Sequence, residues 1–153
     1  MELKFEVHAK IQKPVAEVFE AVTNPTKLTS YFTSGGASAP IREGATVTWS
    51  FADVPGPGGP RRVSFPVKVT KVVAERLIEF EWRASDGDYD THVQLKFEPL
   101  GPAETMVSIS ESGWRETADG LRSSYGNCSG WTQMACCLKG FVEYGINLRK
   151  GYT

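Results

Sequence analysis

The stretch Trp131-Thr132-Gln133-Met134-Ala135-Cys136-Cys137-Leu138-Lys139-Gly140-Phe141-Val142-Glu143-Tyr144-Gly145 decides the fold. Trp131, Met134, Ala135, Leu138, Phe141, Val142 and Gly145 recur every three to four residues, the spacing of one helical face. The chain before it reads mostly as strands. A late amphipathic helix of this length has to lie against a sheet, because its apolar stripe has no other cover. Whether the space beneath it is full decides between a plain core and a ligand pocket.

Toward the N-terminus the period changes from helical to two. Leu3, Phe5, Val7, Ala9 and Ile11 alternate with Lys4, Glu6, His8 and Lys10, which predicts a half-buried strand with His8 in water. Pro14 is placed at the first position of a helix whose stripe is Val15, Val18, Phe19 and Val22, ending at Asn24-Pro25. A second short helix follows, with Leu28, Tyr31 and Phe32 inward. Gly35-Gly36 and Pro40 then mark a loop. The remaining strands carry Val47, Trp49 and Phe51; Val63, Phe65, Val67 and Val69; Ile78, Phe80 and Trp82; Thr91, Val93, Leu95 and Phe97; and Thr105, Val107 and Ile109 on their inward faces. Val72 and Val73 break the alternation, which suggests a bulge or a strand end. Asp86-Gly87 signals a hairpin turn, and residues 53–62, rich in Pro and Gly, form a loop. One apolar face per strand fits an antiparallel sheet, which curls as it twists. The fold class is therefore α+β: a curved antiparallel sheet of about six or seven strands, two short helices, and one long C-terminal helix on the concave face.

The composition suits one domain over residues 1–153, with 41% hydrophobic and 23% charged residues. A net charge of −1 gives no general pull toward nucleic acid or anionic lipid. No apolar run is long enough for a membrane span, and the N-terminus lacks an apolar signal region. Cys128, Cys136 and Cys137 have neither zinc-finger spacing nor a disulfide pattern, so reduced thiols in the cytoplasm are expected.

Three stretches carry a resemblance that covers nearly the whole chain. They are Pro14-Val15-Ala16-Glu17-Val18-Phe19-Glu20-Ala21-Val22 with Asn24-Pro25, then Leu28-Thr29-Ser30-Tyr31-Phe32, and then Gly130-Trp131-Thr132-Gln133-Met134 with Leu138-Lys139 and Phe141-Val142-Glu143. The chain is similar to the START-like (SRPBCC) superfamily, of helix-grip fold, and within it to the AHSA1-like branch, named for the activator of the Hsp90 ATPase. The resemblance implies a cavity between the long helix and the concave sheet. It implies no shared catalytic residues, because the superfamily spans carriers, receptors, cyclases and co-chaperone domains.

Among polar residues Glu111 stands out, because its parity matches Val107 and Ile109. Two readings stay open: a carboxylate turned inward, able to bind a ligand hydroxyl or act as acid or base, or a frayed strand end in water. Asp53 adjoins the Pro/Gly loop and reads as a loop cap. Asp86, Asp88 and Asp90 lack the glycine and distal glutamate of a calcium loop. Residues 56–59 lack the Gly-Lys-Ser/Thr ending of a phosphate loop, and no Gly-x-Ser-x-Gly elbow or metal-binding His pair occurs. His92 falls on a polar face. No catalytic residue, metal or cofactor is assigned.

The expected function is binding of a small apolar molecule without catalysis, through Trp49, Phe51, Phe65, Phe80, Trp82, Phe97, Trp131, Met134, Leu138 and Phe141, with Glu111 or Tyr31 orienting it. The helices after Pro14 and the 53–62 loop would gate the pocket. A cyclase- or hydrolase-like enzyme using Glu111 is the alternative, and a chaperone-associated interaction module the third. A homodimer and a weak chaperone link stay open as partnerships.

Overall fold

A computed structural model describes residues 1–152. In chain order the elements are β1 (Lys4–Ile11), α1 (Val15–Thr23), α2 (Pro25–Thr29), β2 (Gly36–Ala37), β3 (Thr46–Val54), β4 (Arg61–Val73), β5 (Leu77–Arg83), β6 (Asp90–Gly101), β7 (Glu104–Ser112) and α3 (Ala118–Tyr144). The seven strands form one sheet in the order β1-β7-β6-β5-β4-β3-β2, and each pairing is antiparallel. The sheet is open and curved, and α3 lies along its concave side. Val47, Val67, Ile78, Val93, Leu95, Val107 and Ile109 from the strands share one core with Met134, Ala135, Cys137 and Leu138 of α3. The inward parity read from each strand therefore holds.

Strand β7 alternates to its end, so Glu111 is buried with Thr105, Val107 and Ile109. It pairs with Phe5 on one side and Val93 on the other. Both neighbours hold the backbone in register, which is why the strand does not fray there.

Several local expectations are corrected. Pro14 sits at the N-cap of α1, one residue before its first turn. Pro25 takes the first-turn position, in α2, where a missing N–H breaks nothing. The Asn24 side chain caps that helix, accepting from the N–H of Thr26 and Lys27. Gly36–Ala37 is a short edge strand beside β3 rather than loop alone. Asp86-Gly87 lies within a longer loop, residues 84–89, because β5 and β6 stop pairing at Arg83 and Asp90. The irregularity foreseen near Val72 falls between Val69 and Lys71. Gly145 does not extend the helical stripe. It ends α3 with φ 69°, and its N–H donates to the Phe141 carbonyl at 2.8 Å.

One irregularity shapes the site. The ladder between β4 and β5 stops at Lys68 and Glu81. Beyond that point Phe65 and Val63 on β4, and Trp82 on β5, have no backbone ladder partner across the gap. Pro66, which has no N–H for a ladder, lies in this half of β4, which pairs with β3 alone. The concave wall is notched there, and its inward rings stay half-exposed.

Candidate functional site

The space under α3 is filled at one end and vacant at the other. At the C-terminal half, Met134 and Leu138 are fully buried, and Phe141 stacks on Tyr31 at 5.2 Å. Around Gly126, Gly130 and Trp131 a cleft of about 290 Å³ opens against the notch in the sheet. Its walls are Phe32, Phe51, Phe65, Trp82 and Trp131, with Arg61 and Arg149 at its rim. Gly126 and Gly130 border this space, and a Cβ at either would meet nothing within 4 Å.

The rings form a connected set. Trp82 and Trp131 lie 5.4 Å apart with their planes 34° from parallel. Phe32 approaches Trp131 at 5.8 Å and Phe51 at 5.1 Å, and Phe65 approaches Trp82 at 5.8 Å. Such offset and edge-on contacts hold rings in place beyond simple burial.

Glu111 holds the back of this wall. Its Oε1 accepts from Trp131 Nε1 at 2.8 Å and from Asn127 Nδ2 at 3.1 Å. Its Oε2 accepts from Thr91 Oγ1 at 2.6 Å, Asn127 Nδ2 at 3.0 Å and Trp82 Nε1 at 3.1 Å. Four neutral side chains thus fill the acceptor sites of one carboxylate, and among the described residues no ion pair joins it. Three of those four donors, Trp82, Asn127 and Trp131, line the cleft. The carboxylate itself lies behind them, 1% exposed.

Arg149 closes the other side. Its guanidinium donates to both Asp53 oxygens, at 2.7 and 2.9 Å, and lies over the Phe51 ring at 5.0 Å. Burial pushes the Asp53 carboxyl up, but the hydrogen bonds from Arg149 and Ser34 outweigh it and hold the group below the usual aspartate range. Asp53 therefore ties the chain after α3 to β3, a longer reach than a loop cap.

Of the residues the sequence singled out, Phe51, Phe65, Trp82 and Trp131 come together in the cleft. Glu111 supports them from behind. Trp49, Phe80, Phe97, Met134 and Leu138 are packed in the core. Tyr31 is buried and donates its hydroxyl to the Ala21 carbonyl at 3.0 Å. Burial, and then nearby Cys137, push that hydroxyl well above the usual tyrosine range, so it stays protonated. Phe32, Asn127, Gly130, Arg61 and Arg149 were not foreseen. Asn127 lies four residues before Trp131, so extending the stripe backward would have found it. Arg149 meets Asp53 across 96 positions, a separation that leaves no local signal.

Asp86, Asp88 and Asp90 are engaged by Tyr89, Arg83 and Lys68. Burial pushes the Cys137 thiol up despite the opposing pull of Arg149, so it is no reactive thiolate. No helix among the described residues is long and apolar enough to cross a membrane.

Comparison with solved structures returns this same architecture. DynU16, from the dynemicin biosynthetic locus, aligns over 95% of this chain with a TM-score of 0.77 and 23% identity. The alignment covers 49% of DynU16, so this chain spans about half its length. CalU16 from Micromonospora echinospora aligns over 96% of this chain and 78% of its own, with a TM-score of 0.70 and 18% identity. The Aha1 dimer from Colwellia psychrerythraea aligns over 93% and 97%, with a TM-score of 0.69 and 19% identity. At these identities the likeness concerns the fold. No curated protein matches the chain at a significant level. The profile of the Activator of Hsp90 ATPase homolog 1-like protein family matches residues 12–143, most of the chain, and to that family the chain belongs.

Proposed function

We propose that this protein binds a small, planar, apolar molecule in the cleft between α3 and the notched sheet, without transforming it. The observation that carries this reading is the support of the cleft wall. Two of its indoles are fixed by a buried carboxylate that pairs with no cation among the described residues. Burying an unpaired charge is expensive, and a tightly packed apolar core would stabilise the fold at least as well. A wall held rigid in advance lowers the ordering cost of binding. The cleft volume, about 290 Å³, matches the small end of ligand sites, which run from about 300 to 1,000 Å³. Affinity would come from apolar surface leaving water, at about 25 cal/mol per Å², with Arg61, Asn127 and Gln133 available to polar substituents.

The acid–base alternative is weaker on geometry. Glu111 does not line the cleft, and its oxygens are already occupied by donors from the protein. Native mass spectrometry of protein purified from its own cells tests the proposal. A reproducible non-covalent extra mass is expected, lost in Trp131→Ala, whose affinity for the released compound should fall more than tenfold. Turnover of that compound by the wild type, abolished in Glu111→Gln, would instead establish the enzyme.

A further inference from the structure

We infer that the aromatic cleft is one half of a longer groove, and that its ligand is an amphiphile with an apolar ring at one end and a hydroxyl-bearing head at the other. This rests on the proposed binding reading. A second space, an open surface depression of about 450 Å³, lies along α3 toward its N-terminus. It shares Gly126 and Asn127 with the aromatic cleft. Both spaces are thus bordered by the same helical step, where Gly126 carries no side chain. From Asp119 to Gln133, the lining of α3 runs about 21 Å at 1.5 Å per residue. A compact bicyclic molecule would occupy only part of that length.

The second space has a different chemistry. Ser85, Asp86, Asp119, Arg122 and Ser123 form its walls. Asp119 and Arg122 are ion-paired there, and the Ser85 and Ser123 hydroxyls meet at 2.7 Å. Among the described residues no aromatic ring lines this end. Carboxylates, a guanidinium and hydroxyls together suit a group that both donates and accepts. A neutral hydroxyl does so and meets no like charge, whereas a carboxylate would meet two, Asp86 and Asp119, and an ammonium would meet Arg122. The polar end thus fits a polyol or sugar head, and the aromatic end fits the ring attached to it.

Calorimetric titration with three probes tests this: naphthalene, hexylnaphthalene, and naphthylhexyl glucoside. The glucoside should bind at least tenfold more tightly than hexylnaphthalene. The double variant Asp119→Ala/Arg122→Ala should remove that gain while leaving naphthalene affinity unchanged. Both side chains are largely exposed, 72% and 70%, and net charge is conserved, so the fold should survive; circular dichroism verifies this. Equal binding of glucoside and hexylnaphthalene would overturn the groove and leave the aromatic site standing. An unchanged glucoside advantage in the double variant would also overturn it. Failure of all three probes to bind would overturn both readings.

Discussion

Glu111 concentrates the consequences of single-residue change. Replacing it with Gln turns one acceptor oxygen into an NH₂ that faces donors already present. Hydrogen bonds to a charged group contribute about 1.5–3 kcal/mol each, and a stranded buried donor costs about 1–3 kcal/mol. Glu111→Gln should therefore lower unfolding free energy by about 2–4 kcal/mol in urea titration. Trp131→Phe keeps a ring in the wall but removes one N–H, and should cost less. A loss under about 0.5 kcal/mol for Glu111→Gln would mean that the carboxylate is solvated rather than held. Strand parity left the inward direction of Glu111 as one of two open readings; its four partners were not legible at all, because they converge from β5, β6 and α3. Asp53 offers a separate test through pH. Its folded-state affinity for protons is lowered, so its bond with Arg149 contributes stability above the ordinary aspartate range. That contribution disappears as pH falls through and below about pH 4. Melting temperature followed from pH 6 to pH 3 should drop less steeply in Asp53→Asn than in wild type. Parallel curves would remove Asp53 from the acid response.

At the scale of the element, the glycines of α3 divide by what surrounds them. A Cβ on Gly120 would lie 1.9 Å from the Arg115 carbonyl oxygen. Gly120→Ala must therefore displace backbone, at a cost of about 1–3 kcal/mol. At Gly126 and Gly130 the same atom meets open space, and alanine is the better helix former by about 0.8–1.0 kcal/mol. Gly130→Ala should thus raise the melting temperature and Gly120→Ala should lower it. Equal shifts would show that the cleft closes around α3 in solution. Glycines that weaken a helix and border a cleft are consistent with space being kept open. The element itself was legible from its apolar stripe, which comes from the packed half of α3. The stretch beneath the cleft carries Ser, Gly and Asn in place of large apolar residues, so the periodicity fades where the site lies. The same holds on the sheet, where the end of the β4–β5 ladder depends on two strands diverging rather than on either strand's composition.

For the whole molecule, the order of elements followed from period changes along the chain, because one buried face per strand and one stripe per helix leave few arrangements. Which part of the interior stays vacant could not be read that way. Core and cleft use the same aromatic residues at the same parity, as Phe80 in the core and Trp82 in the cleft show on neighbouring inward positions of β5. The volume between them depends on how far α3 stands from the notch. That vacancy is tested most directly by titrating naphthalene into wild type and Gly130→Leu, followed by indole fluorescence. Saturable one-to-one quenching is expected for wild type, with affinity at least tenfold weaker in the variant, which should remain folded because leucine favours the helix. No saturable change in wild type, or equal affinity in a folded Gly130→Leu, would contradict a binding site beneath the helix.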